Sequence, residues 1–111
     1  MSAAPKITDN PLYQLLRDDN VKEFNEKRPE AIDFSGLDFR GLDLRGINAK
    51  GINFNDAYFH QTDLRGLDLS ECSMLGASVN MASISGCYFP HEISADEIRL
   101  SNTTGTRMRQ R

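Results

Sequence analysis

Residues 32–91 divide into twelve consecutive units of five residues without a slip in register. Each unit opens on an apolar or small residue, usually places a polar residue second, and carries a large apolar residue third. Two mostly polar positions follow, the last of them often Gly. The third position holds Phe34, Phe39, Leu44, Ala49, Phe54, Phe59, Leu64, Leu69, Met74, Val79, Ile84 and Phe89. A period of five matches neither the 3.6 of an amphipathic helix nor the 2.0 of an alternating strand. A fixed repeat of this kind implies units that bury their apolar face by stacking on one another.

The unit also dictates its own geometry. Alternation of inward residues would invert at every fifth residue, so a straight strand is excluded and each unit needs a corner. Gly36, Gly41, Gly46, Gly51, Gly66, Gly76 and Gly86 all stand at the fifth position, where a permissive backbone serves a turn. Asp33, Asp38, Asp43, Asn48, Asn53, Asp63 and Asp68 stand at the second position, which suits the same tight turns.

With this layout the chain resembles the pentapeptide-repeat family, whose units follow Ala-Asp/Asn-Leu/Phe-X-X, and it looks like a small bacterial-type member. The resemblance implies an all-β solenoid: a right-handed quadrilateral β-helix of about three coils, four units to a coil, at the usual strand spacing of about 4.8 Å. Residues twenty apart would then stack. Phe34, Phe54 and Met74 would form one inward column and Phe39, Phe59 and Val79 the next. Leu44, Leu64 and Ile84 would form the third, and Ala49, Leu69 and Phe89 the fourth. Units one to five depart from the family pattern, because Ile32, Leu37, Leu42, Ile47 and Ile52 replace its small first residue. Those coils are expected to be wider or more tightly filled.

The ends read as caps. Asn10 followed by Pro11 signals a helix start, with Leu12, Leu15 and Leu16 on one face through about Arg17 and Tyr13 beside them. Asn20 with Glu23 resembles a capping box opening a second helix that buries Val21 and Phe24 and ends by Pro29. An open coil is an aggregation liability, so both helices are expected to cover Ile32 and Phe34. Pro90 stops the stacking. Ser94 with Glu97 then opens a short helix, Ile93, Ile98 and Leu100 cover the last coil, and Ser101 to Thr106 reads as loop. The predicted division is a flexible tail over 1–9, an N-terminal helical cap over 10–30, the repeat helix over 31–91, and a C-terminal cap with an exposed basic tail over 92–111.

Composition excludes more than it assigns. A balance of 13 Lys plus Arg against 16 Asp plus Glu gives a net charge of −3, too mild for a polyanion binder. No apolar run approaches the roughly 18 to 20 residues of a membrane span, and residues 1–9 lack signal-peptide character, so a cytoplasmic, non-membrane protein is expected. Cys72 and Cys87 occupy first positions and read as small thiols filling inward slots rather than a disulfide framework. His60 and His91 have no Cys, Asp or Glu at ligand spacing, so no metal site is expected. No nucleophile elbow, P-loop or dinucleotide fingerprint is present, and the serines 70, 73, 78, 83 and 85 sit on outer positions without a base. The reading is therefore no enzyme, no catalytic residues and no cofactor.

What is left is the outer surface. Asp43 beneath Asp63 and Arg45 beneath Arg65 predict a ladder of alternating charge on one face, and Arg40 lies under His60 on its neighbour. Tyr58, Leu75, Met81 and Tyr88 are outward residues that a solvated face does not need, and with the charged residues they form the candidate protein-contact surface. A non-catalytic interaction or scaffold module with an unidentified protein partner is the expected function, as a monomer or an end-to-end homodimer. The family resemblance implies an alternative, since some members mimic B-form DNA, bind type II topoisomerases such as gyrase and confer quinolone protection. Against it stand seven acids and four bases within residues 32–91. Nucleic-acid binding through Arg40, Arg45, Arg65 and the terminal Arg107, Arg109 and Arg111 is opposed by the interleaved aspartates.

Overall fold

The computed structural model describes residue 4 and residues 6–111. Two short helices come first, α1 (Pro11–Arg17) and α2 (Val21–Lys27), and the β-helical solenoid follows with β1 (Ile32–Asp33) and β2 (Ile52–Asn53) as its regular strands. A third helix, α3 (Ala95–Thr104), closes the sequence of elements. The ladder is parallel and rises by twenty residues: Ile32 pairs with Ile52, Asp33 with Asn53, Asp38 with Tyr58, and Asp43 with Asp63. The same step takes Asn53 to Ser73, Tyr58 to Ser78, Asp63 to Ser83 and Asp68 to Tyr88. Strands stay short because a corner interrupts the ladder in every unit.

The corner is a left-handed residue. Gly36 through Gly86 at the fifth positions have φ between 70° and 86°, and three units manage the same conformation with a side chain: Asp56, Gln61 and Met81 at φ 60°, 57° and 56°. Second-position carboxylates and amides brace the turn. The Oδ1 atoms of Asp33, Asp38, Asp43, Asn48, Asn53, Asp63 and Asp68 each accept the N–H two residues on, at 2.9–3.2 Å. These polar side chains are thereby occupied in holding the backbone.

Inside, the predicted columns are present. Phe34, Phe39, Phe54, Phe59, Leu44, Leu64, Leu69, Met74 and Val79 are buried. The Phe39 and Phe59 rings stack at 5.2 Å with 10° between planes, and Phe54 meets Phe59 edge-on at 5.2 Å. Ile84 and Phe89, at the C-terminal end of their columns, are only partly buried. Thr62, an inward polar residue, donates its hydroxyl to Phe39 O at 2.7 Å, so its burial leaves nothing unsatisfied.

Hydrogen-bond direction makes the two ends chemically different. In most units the third- and fifth-position N–H donate toward the C-terminal end, as Phe34 does to Asn53 O and Gly36 to Asn55 O, whereas one C=O faces that way, as Leu37 O accepts from Tyr58 N–H. The N-terminal end therefore has an excess of C=O and the C-terminal end an excess of N–H.

Each cap answers its end. At the N-terminal end, donors dominate. Tyr13 Oη donates to Asp38 O, Arg28 to the carbonyls of Asn48 and Lys50, and Asn25 Nδ2 to Gly46 O at 2.9 Å. Asn25 Oδ1 accepts from Asn48 N–H, so one amide mimics a missing strand on both sides. At the C-terminal end, acceptors dominate. Met108 O accepts from Gly76 N–H, Ser101 Oγ from Val79 N–H, and Asn102 O from Met81 N–H.

Several sequence expectations are corrected here. Tyr13, placed beside the apolar face of α1, is fully buried and packs edge-on against Phe39 at 5.5 Å, because its hydroxyl reaches an open carbonyl of the first coil. The flexible tail is not free at Lys6, whose backbone pairs with Gly36 and Asp38 as an added edge; residues 1–3 and 5 lie outside the described residues. The loop expected over 101–106 is helical through Thr104, and Gly105 ends α3 at φ 80°. Leu100 is 40 % exposed, while Ile93 and Ile98 pack inward as expected. The basic tail is docked rather than solvated. Met108 is 1 % exposed, Arg107 bonds Asp56 at 3.1 Å, Arg109 pairs with Glu97 at 2.8 Å, and Arg111 Nε donates to His91 O.

Candidate functional site

The twenty-residue step sorts the outward residues into faces. The third face, built from units 42–46, 62–66 and 82–86, carries the charge ladder. Arg45 meets Asp43 at 2.8 Å and Asp63 at 3.3 Å, and Arg65 closes on Asp63 at 2.7 Å. Hydrogen bonds from Arg65, supported by its charge and that of Arg45, hold the Asp63 carboxyl at about 2, and those from Arg45 hold Asp43 below its usual range. These pairs are solvent-exposed and screened, so they add little to stability. The ladder is internally neutralised, which leaves little field for a ligand.

The second face, from units 37–41, 57–61 and 77–81, is different. Arg40 lies over the Tyr58 ring at 5.2 Å, and Tyr58 stacks on His60 at 5.6 Å with 11° between planes. His60 Nδ1 is 3.2 Å from Asn80 Nδ2, which fixes the ring against the unit stacked on it. Met81 stands at the corner of the same face, 60 % exposed in a left-handed conformation that bulky residues rarely adopt. Arg40, Tyr58, His60 and Met81 thus share one face, brought together from three units.

Other candidates fall elsewhere. Leu75 is partly buried and packs against the core on the first face, away from the stack. Tyr88 is 70 % exposed on the fourth face, away from the stack. Ser78, expected outside, is 6 % exposed under the C-terminal cap. Cys72 is buried and Cys87 partly so, unbridged and donating to Leu69 O and Leu64 O; burial pushes the Cys72 thiol up to about 12 and raises Cys87 as well. Among the described residues, no cluster of three or more His, Cys, Asp or Glu is placed to hold a metal ion. No helix among them is long and apolar enough to cross a membrane.

Sequence reasoning missed Asn25, Arg28, Asn102 and Met108 as end caps. Nothing local marks them, because each answers a backbone group at least twenty residues away. The comparisons with known proteins bear on the repeat alone. A family model described as pentapeptide repeats matches residues 52–89 in eight copies. No curated protein matches the chain, and no solved structure does. The matched stretch begins at Ile52, and the unmatched units before it carry Ile or Leu at every first position. Those earlier units still pair in the same twenty-residue register, so they continue the same solenoid. Residues 52–89 are therefore pentapeptide repeats.

Proposed function

We propose that this chain is a non-catalytic protein-interaction and scaffold module, a right-handed quadrilateral β-helix of about three coils that engages a partner protein through its second face. The single observation that carries the choice of face is Met81. Seven of the twelve units place Gly at the corner, where the left-handed conformation is free of strain, yet this unit keeps a large, exposed apolar side chain there. Strain retained at an exposed position is a mark of function. Beside it, the Arg40–Tyr58–His60 stack presents the residue types that dominate binding hot spots.

Non-catalytic action is supported by how the polar side chains are used: seven second-position groups hold turn amides, and the charged ladder is paired on itself. A cytoplasmic setting belongs to the same proposal, supported by two unbridged thiols. The arginines are mostly spent on carboxylates and carbonyls, which favours a protein over a nucleic acid as partner. The topoisomerase-binding alternative has the family's precedent behind it.

The test is nuclease-treated affinity capture from the source cells, with the wild-type chain against the Tyr58→Ser, Met81→Gly double variant. Met81→Gly restores the usual corner residue, so the fold is expected to stay intact. One stoichiometric protein retained by wild type and weakened by about 30-fold in the variant, as loss of a 2 kcal/mol hot spot implies, supports the proposal. Equal retention by both chains removes the second face as the site. Recovery of gyrase or topoisomerase IV subunits replaces this reading with the alternative.

A further inference from the structure

The C-terminal cap covers only part of its end. Gly76, Val79 and Met81 donate their N–H to Met108, Ser101 and Asn102, all on the first and second faces. On the third and fourth faces the equivalent N–H groups of Ile84, Gly86 and Phe89 have no partner among the described residues, and neither has the Cys87 carbonyl. One level below, every matching group is paired: Leu64 N–H to Ser83 O, Gly66 N–H to Ser85 O, Leu69 N–H to Tyr88 O, and Leu67 O with Tyr88 N–H. The open edge thus repeats a pattern that the chain itself fills twenty residues earlier. Apolar side chains line it, with Ile84 and Phe89 partly buried and Tyr88 70 % exposed. An uncovered ladder is a hazard that folded proteins ordinarily blunt with charge or Pro, and between Ala82 and Phe89 there is neither.

We infer that this open half-end binds a peptide segment of a partner protein, extended along each face and bent once at the corner, laid on residues 83–89 as an added rung. Hydrogen bonding selects the occupant. Three N–H donors against one C=O, divided by the Gly86 corner, call for a segment that presents two carbonyls on one face and one on the next, as Ser83, Ser85 and Tyr88 do one level below. The spacing calls for a large apolar residue over Ile84 and another, five residues on, over Phe89. The chain's own C-terminal segment provides the precedent on the adjoining faces. Met108 exchanges both backbone bonds with Gly76 and Ala77 while burying its side chain to 1 % exposure. Charge has little part, since the added rung meets Ser83, Ser85 and Cys87 rather than ions. This inference rests on the interaction-module reading and adds to it a second surface and the conformation of what binds there.

The experiment uses the full chain and an acetylated, amidated peptide copying residues 62–71, which already has a leucine at each required position. Amide hydrogen exchange is read by NMR with and without the peptide. The expected result is saturable binding that slows exchange at Ile84, Gly86 and Phe89 by about tenfold or more and leaves Met81 unchanged. A control peptide with the leucines copying Leu64 and Leu69 replaced by aspartate is expected to have no effect. Absence of binding at millimolar peptide, or equal effects of the two peptides, overturns the inference. Slowing of the same amides on raising protein concentration alone assigns the edge to a second copy and overturns it too. Peptide binding is expected to survive Tyr58→Ser. Loss of the captured partner in that variant and loss of the peptide are thus separate failures.

Discussion

At the residue scale, stability rests on inward rings and on corners held in the left-handed conformation. Phe54 and Phe59 are buried and in contact with each other and with Phe39. Phe54→Ala or Phe59→Ala is expected to cost about 3–5 kcal/mol, measured by denaturant unfolding; a loss under about 1 kcal/mol would contradict their place in the core. Glycines at corners are not equivalent. A Cβ at Gly51 would lie 2.2 Å from Glu30 O, whereas at Gly36 it would meet nothing within 4 Å. Both have positive φ, so Gly36→Ala carries roughly 1–2 kcal/mol of backbone strain, and Gly51→Ala is expected to lose clearly more because α2's exit must move. Equal losses would mean that this exit is not packed as described. Asp63 supplies a pH signature. Its folded pKa of about 2 lies below the ordinary 3.8, so its contribution is complete above pH 3.8 and is lost as pH falls toward 2. Arg65→Ala removes the main cause of that depression and is expected to lower Tm above pH 4 and to shrink its fall between pH 4 and 2, read by melting between pH 2 and 5.

At the element scale, the caps are matched to the polarity of the ends. Deleting residues 1–30 strips Tyr13, Asn25 and Arg28 from open carbonyls and uncovers Phe34. The truncated chain is expected to associate or precipitate; a soluble monomer with unchanged melting would make α1 and α2 a binding element instead. The C-terminal segment is tied by the same logic. Gly76 lacks a side chain where the Asp56 carboxylate lies, and Arg107 bonds both Asp56 and Gly76 O. Met108→Ala is expected to cost about 2–5 kcal/mol, because it empties a buried site under an otherwise exposed strand. A neutral result in thermal unfolding would return residues 106–111 to the solvated tail that their composition suggests.

At the scale of the whole molecule, size and charge limit what it resembles to a partner. The longest dimension is 34 Å, about the length of ten base pairs, over which duplex DNA carries about twenty phosphates. Residues 32–91 carry seven acids and four bases, a net of −3, and most of those acids are paired. Mimicry of DNA by charge density is poorly served, while a rigid face with an aromatic and cationic stack is well formed. Binding through that face is expected to weaken little between about 50 and 200 mM salt, in contrast to the 10³- to 10⁵-fold loss of a phosphate-like contact. A steep salt dependence measured for the captured partner would reverse that judgement.

The sequence by itself determined the period, the inward positions and the corner positions. All three are local facts of side-chain volume and backbone freedom, repeated in units of five. It also marked the starts of α1, α2 and α3, because Asn10, Asn20 and Ser94 cap amides within three residues. Only the tertiary structure decided which polar groups meet across the end of a stack. Tyr13 on Asp38, Arg28 on Asn48 and Lys50, and Met108 on Gly76 and Ala77 are separated by twenty to more than thirty residues and follow no period. On the second face the tertiary structure decided the stack itself, in which Arg40 lies over the Tyr58 ring and Tyr58 over His60. Local chemistry sets the unit; where a ladder of backbone groups stops, and what covers it, is settled by packing at the ends.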